Sequence, residues 1–302
     1  MRKTHLNQWP LVLCLVVLAC GSQGEPGSMA STSADIVGGS ETSGLPAVGM
    51  LVYDGQPHCT GTLISPRTVL TAGHCTSGFS ASRMKFLLGP DVSVPEKVLG
   101  VAAVRPHPNY DGNAITNDIG YVALSEDAPI APLGVNPMAM DASWVGKSLL
   151  FVGYGNNDGY AGTGAGIKRA VIMPISKVTS GAFEYTTKGK NTCNGDSGGP
   201  AFVKDSQGNY LVAGVTSYGD YYCVSYGVDT RVDPYLAFLG ISGTTPPPSP
   251  PPVTDPCKGE TYLGRCETKK LIWCESKQIK TLNCSTKCGY DTAKGYYNCL
   301  IK

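Results

Sequence analysis

Charge is scarce in this chain. Asp, Glu, Lys and Arg make up only 16% of it, and 24 basic against 23 acidic side chains leave a formal net charge of +1. So even a balance offers no electrostatic case for nucleic acid as a partner. With 42% hydrophobic residues, it also excludes charge-driven disorder. Long apolar runs are missing too. Leu11 to Ala19 is broken by Cys14 and falls short of the roughly 20 apolar residues a bilayer requires, which argues against a multi-span membrane protein. Histidine is limited to His5, His58, His74 and His107, and none follows position 107. What is plentiful is Gly (38), Pro (22) and Tyr (16), a mixture that favours short strands and turns over a helical bundle. The 12 cysteines point to an oxidising compartment.

The leader accounts for the compartment. Arg2 and Lys3 give a positive start, the apolar run follows, and residues 1–20 read as a secretory signal peptide. The run ends in Val17-Leu18-Ala19-Cys20, which resembles a bacterial lipobox with cleavage before Cys20 and lipid on its thiol. Leu18 is bulkier than a lipobox prefers, so plain cleavage near Ala19 stays open. The protein is expected to be secreted, with anchoring to a bacterial cell envelope as the lipidated alternative.

Residues 21–35 are small and polar and read as a spacer or propeptide. A second spacer, 244–256, holds seven prolines between 246 and 256. At about 3.1 Å per residue this strut holds its flanks roughly 30 Å apart. It separates two unequal blocks. Residues 36–243 carry four cysteines with 13 basic against 16 acidic side chains, whereas 257–302 carry six cysteines with nine against four.

In the larger block, Val48–Tyr53, Leu149–Val152 and Tyr210–Ser217 are short, β-branched or aromatic, and bounded by turn residues, which predicts strands. One helix is expected near the end, with Asp233 as cap, Pro234 in its first turn and an apolar side from Tyr235, Leu236, Phe238 and Leu239.

Three segments carry the chemistry: Thr71-Ala-Gly-His74-Cys75, Asn117-Asp118-Ile119 and Cys193-Asn-Gly-Asp-Ser197-Gly-Gly-Pro200. A serine hydroxyl is a weak nucleophile near pH 7 and needs a base. Histidine fits that need, and a buried carboxylate fixes its tautomer. Glycines beside the serine allow a sharp turn that faces two N–H groups toward a substrate carbonyl. The string Gly-Asp-Ser-Gly-Gly also satisfies the nucleophile elbow of α/β-hydrolases, but that fold needs its histidine after the serine. All four histidines precede Ser197, which excludes it. The order His, Asp, Ser is that of the chymotrypsin β-barrels.

Together with Ile36-Val-Gly-Gly39, Ser217-Tyr-Gly219 and Gly227-Val-Asp-Thr-Arg-Val232, these motifs make residues 36–243 resemble a trypsin/chymotrypsin-type serine endopeptidase. The resemblance implies an all-β double six-stranded barrel with a C-terminal helix. It implies Ser197 as nucleophile, His74 as general base and acid, Asp118 as its orienter, and the N–H groups of Gly195 and Ser197 as the oxyanion hole. It implies disulfides Cys59–Cys75 and Cys193–Cys223, no cofactor and no metal, and protein or peptide substrates. A catalytically inactive member of the fold, binding a surface, is the alternative.

Two departures from the family pattern bear on function. Trypsin has an aspartate six residues before the nucleophile, where this chain has Asn191; Ser217, Tyr218 and Asp229 also line the pocket, Gly219 and Gly227 leave its walls open to a sizeable residue, and an uncharged side chain before the scissile bond is expected. Asp229 stands where the family usually has tyrosine, and basic specificity returns if its carboxylate reaches inward. Activation in the family pairs a freed Ile36 amino group with Asp196, yet the residue before Ile36 is Asp35 rather than Arg or Lys.

The small block 257–302 reads as a disulfide scaffold whose pairing stays open, with neither Cys-x2-Cys nor His to suggest zinc. Its Tyr262, Trp273, Tyr290, Tyr296 and Tyr297 beside nine basic residues suit either docking on a polysaccharide or anionic cell surface, or filling gaps between disulfides.

Overall fold

The computed structural model describes residues 36–241, 264–275, 278–291 and 296–300. The signal peptide with Cys20, the spacer 21–35 and the linker 244–256 lie outside the described residues.

After a short strand, β1 (Ser40–Glu41), six strands close the first barrel: β2 (Val48–Tyr53), β3 (Gln56–Ser65), β4 (Thr68–Thr71), β5 (Met84–Leu88), β6 (Lys97–Pro106) and β7 (Gly120–Leu124). They run in the order β2-β3-β4-β7-β6-β5, each pair antiparallel. Asp54-Gly55, both at positive φ (51° and 77°), make the tight β2–β3 hairpin. Met50, Leu63, Val69, Phe86, Leu99 and Val122 are fully buried in its core. Each such side chain stabilises the fold by roughly 1.5–3 kcal/mol.

The second barrel follows β8 (Gly134–Val135) and contains β9 (Ser148–Gly153), β10 (Arg169–Val178), β11 (Ala182–Tyr185), β12 (Pro200–Lys204), β13 (Tyr210–Gly219) and β14 (Gly227–Arg231). The ring runs β9-β10-β11-β14-β13-β12 and closes on β9, while β1 adds to β10 and β8 to β13. Phe151, Phe183, Tyr185, Met173 and Ile36 pack its core. The three strands expected from the sequence fall within β2, β9 and β13.

The cysteine-rich tail forms an antiparallel sheet of β15 (Arg265–Glu267), β16 (Lys270–Glu275) and β17 (Gln278–Asn283), and a hairpin of β18 (Lys287–Asp291) and β19 (Tyr296–Leu300). Cys266 pairs with Cys288 and Cys284 with Cys299, and Cys274 is also disulfide-bonded. Trp273 and Tyr297 pack against Leu271 and these cysteines. Both rings therefore fill the small core that the chain is too short to build otherwise.

The closing helix is much shorter than its apolar pattern predicts. Only a 3-10 turn, Asp233–Tyr235, forms before a turn that ends at Gly240 (φ 70°). Val232 takes the cap position, and Asp233 is engaged elsewhere: it accepts Arg231 Nε at 3.0 Å and Nη2 at 2.5 Å, and the Met140 N–H at 3.2 Å. Both partners of the Arg231–Asp233 pair are buried. Removing one leaves the other charge without compensation, which costs about 3–5 kcal/mol, against about 1 kcal/mol for a lost helix cap. Asp233→Ala should therefore lower the unfolding free energy in urea by about 3 kcal/mol or more, and a loss of about 1 kcal/mol or less would mean that the pair behaves as a solvated surface pair.

Candidate active site

His74 and Asp118 come from the first barrel, in the loops after β4 and before β7. His74 presents two donors to one carboxylate: its backbone N–H to Asp118 Oδ1 and its ring Nδ1 to Oδ2, both at 2.8 Å. A third donor arrives from the second barrel, where Ser217 Oγ on β13 lies 2.5 Å from Oδ2. Asp118 is 1% exposed. Burial alone would push its carboxyl up, but the His74 ring, the Ser217 hydroxyl and the His74 N–H outweigh burial and hold it below the usual carboxylate range. With Nδ1 donating to this carboxylate, Nε2 is left as the ring's acceptor. The sequence placed Ser217 in the pocket wall; its bond to Asp118 links two residues 99 positions apart, which motif reading could not anticipate.

The serine loop reaches the histidine through backbone packing. Gly198 (φ 79°) lies against Thr71 and Ala72, so closely that a Cβ there would overlap Thr71 Oγ1. Thr60 on β3 donates its N–H to the Ser197 carbonyl at 2.8 Å, and the Gly198 N–H donates to Thr216 at 2.7 Å. Among the described residues, Ser197 Oγ makes no hydrogen bond to His74, and the N–H groups of Gly195 and Ser197 have no acceptor. Cys59–Cys75 and Cys193–Cys223 pair as the resemblance implies. The grouping Cys59, His74 and Cys75 has metal-ligand residue types, but both sulfurs are spent in the disulfide. His58 Nε2 donates to the Cys75 carbonyl at 2.9 Å, and His107 packs edge-on to Tyr235 and Phe238. Both are structural histidines.

The pocket residues are assembled differently from the expectation. Asn191 is buried and committed: Nδ2 donates to the Tyr226 carbonyl at 3.0 Å and lies 3.4 Å from Asp220 Oδ1, while its Oδ1 accepts the Thr192 N–H. Gly227 does not open the wall, because the Tyr185 ring occupies the place where its Cβ would stand. The Tyr185 hydroxyl meets Thr192 Oγ1 at 2.7 Å and Asp229 Oδ1 at 3.0 Å. Asp229 is fully buried, with its Oδ2 toward Gly214 and the Thr216 side chain also holding its carboxyl. Burial pushes its carboxyl well above the usual range. The carboxyl is committed to Tyr185 and shielded from solvent. Tyr218 and Gly219 stay exposed on the rim.

A family model described as trypsin matches residues 36–239, the two barrels just described. The chain belongs to the trypsin family. Phenoloxidase-activating factor 3 of Holotrichia diomphalia is 28% identical over 223 residues, covering 60% of this chain and 62% of that protein. Melanization protease 1 of Drosophila melanogaster is 29% identical over 258 residues, with shares of 68% and 64%. Trypsin alpha of Drosophila erecta is 30% identical over 227 residues, with shares of 69% and 87%. The chain spans less than two thirds of the length of the first two.

Within this trypsin-family frame, Asp196 is a second buried carboxyl whose titration the fold shifts upward. It is 1% exposed, with its oxygens 2.8 Å from the N–H groups of Gly155 and Cys193. Burial pushes its carboxyl up to about 6 despite those donors and the Arg169 guanidinium. A carboxyl whose pKa is raised by folding costs stability once it ionises. In the uncut chain, stability should therefore fall as pH rises from about 4 through 6, by about 3 kcal/mol from this group. Urea unfolding of the wild type and of Asp196→Asn across pH 4–7.5 measures it, and parallel pH profiles would show that Asp196 is not the source.

Proposed function

We propose that the protein is a secreted serine endopeptidase that hydrolyses peptide bonds through an acyl-enzyme. The observation that carries this reading is the His74 ring fixed by a buried Asp118 beside a serine loop with two unengaged N–H groups. His74 Nε2 takes the Ser197 proton as Oγ attacks the scissile carbonyl. The N–H groups of Gly195 and Ser197 receive the oxygen that becomes negative, and His74 then protonates the leaving amine. Water, deprotonated by the same ring, releases the acyl group. Ile36 already lies in the core of the second barrel, and the amino group freed by a cut before it would give the strained Asp196 carboxylate a partner. The paired cysteines suit an oxidising compartment, in keeping with export through the leader.

Protein cut before Ile36 should be labelled by a serine-reactive fluorophosphonate and should degrade casein. Ser197→Ala abolishes both signals, and Asp118→Asn lowers kcat by about 10⁴-fold because it loses the required tautomer. Correctly cut protein that does neither supports the rival reading, a non-catalytic binder of polysaccharide or anionic surface through 257–302.

Primary specificity is for an uncharged side chain. Asn191 carries no charge and its amide is spent on Tyr226, while Asp229 is turned into the barrel. A peptide library should show a neutral residue before the scissile bond, with the same profile in Asp229→Asn. A strong Lys or Arg preference would refute this and would trace to Asp220, the carboxylate 3.4 Å from Asn191 Nδ2.

A further inference from the structure

The loop that presents Ser197 is tied down by a residue that belongs to the other barrel. Thr60, on β3, is fully buried. Its Oγ1 donates to the Gly195 carbonyl at 2.8 Å and accepts the Tyr154 N–H at 3.2 Å, so both functions of the hydroxyl are used. Its backbone N–H holds the Ser197 carbonyl at 2.8 Å. Its own carbonyl receives the Thr71 hydroxyl at 2.9 Å, three residues before His74. One residue therefore grips the carbonyls of both Gly195 and Ser197 and is itself gripped by the strand that leads to the histidine.

Gly195 needs such a grip. It sits at φ 98°, a region closed to other side chains at ordinary cost, and with no Cβ it has little of its own to stop it turning. Its N–H belongs to the peptide plane of Asn194, whose carbonyl accepts the Asn156 N–H at 2.8 Å. In a trans peptide the oxygen and hydrogen point opposite ways, so this bond aims the Gly195 N–H away from Asn156. The plane on the other side of Gly195 is held by the Thr60 hydroxyl. With both planes fixed, rotation about the glycine is blocked. A donor set in place beforehand pays no reorganisation when charge develops in front of it.

We infer that Thr60 is a positioning residue for the oxyanion-binding N–H of Gly195, acting through the Gly195 carbonyl. The inference rests on the endopeptidase reading and adds a requirement to it: a hydroxyl at position 60. Valine has the shape of threonine without the donor, and serine keeps the donor.

The test uses the full chain cut before Ile36 and compares wild type, Thr60→Val and Thr60→Ser. Four quantities are read: kcat and KM on a neutral peptide amide, affinity for a peptide boronate, and affinity for the matching unreactive peptide. The boronate becomes tetrahedral on Ser197 and places an oxygen before the Gly195 N–H, whereas the unreactive peptide does not. Thr60→Val should lower kcat by about tenfold to a hundredfold, short of the 10²–10³ or so for removing a donor outright, with KM within about twofold. Boronate affinity should fall in step with kcat, the unreactive peptide should bind as before, and Thr60→Ser should restore both kcat and boronate affinity. Thr60→Val also strands the Tyr154 N–H. Should it fail to fold, Thr60→Cys, whose thiol fills the same space but is a weak donor and acceptor, carries the same comparison with a smaller loss in kcat and boronate affinity. An active wild type whose variants keep kcat, lose boronate and unreactive peptide equally, or are not rescued by serine overturns the inference alone. A wild type inert to fluorophosphonate overturns the endopeptidase reading and the inference with it.

Discussion

Water cannot reach the Asp118 carboxylate, so the protein must supply every donor that water would have given. Three arrive: two from His74, in the same barrel, and one from Ser217, in the other. Leaving such a group unsatisfied costs several kcal/mol, so this bond set is a condition on how the barrels meet and not a consequence of it. If the barrels separate, Ser217 is lost and the carboxylate is left short. The same three bonds choose the histidine tautomer, so folding and chemistry answer to one electrostatic requirement.

The rest of the seam follows a similar rule, with polar groups of one barrel completing the backbone of the other. Tyr154, just after β9, lies with its hydroxyl 3.0 Å from the Val48 carbonyl and 2.6 Å from that of Gly89 in the first barrel. Lys168, before β10, reaches the Leu45 carbonyl at 3.2 Å, and burial pushes its amine down to about 8. Thr60 and the serine loop repeat the pattern from the opposite side. Apolar packing spans the seam as well, since Leu150, Val152 and Phe202 share one buried cluster with the core of the first barrel, and the hydrogen bonds add direction to that packing. A site divided between two barrels therefore inherits a geometry that neither barrel holds alone.

Much of this site is legible in the sequence because its motifs are local. A histidine followed by a pairing cysteine, and a serine among glycines, encode turns whose geometry depends on immediate neighbours. The chain order of His, Asp and Ser then excludes the competing hydrolase fold without any coordinates. What stays hidden is contact between distant positions. Nothing near Ser217 marks it as a donor to Asp118, and Thr60 reads as one more β-branched residue in a strand. Tyr185 and Asp229 look unrelated until β11 pairs with β14 and brings phenol and carboxyl to 3.0 Å. The closing helix misleads for the opposite reason. Its local pattern is sound, but Arg231 claims the Asp233 carboxylate, and Gly240 ends the turn. In the tail, composition shows that cysteines must stand in for a core, while only the fold shows Trp273 and Tyr297 joining them there.

Ile36 stands at φ 37°, in the left-handed region, which a β-branched side chain occupies at a cost of about 1–3 kcal/mol. Its side chain is fully buried, the Val37 carbonyl accepts the Asn191 N–H at 3.0 Å, and Gly38 packs against Gly189. The torsion φ exists only while a carbonyl carbon precedes the nitrogen, so hydrolysis before Ile36 abolishes the constraint along with the bond. The fold thus holds this residue like a cocked spring. A cut before Ile36, as the proposed activation requires, would release this torsion, and resealing the bond would have to restore the strain. The torsion would act as a ratchet on that cut, favouring the open bond over the closed one.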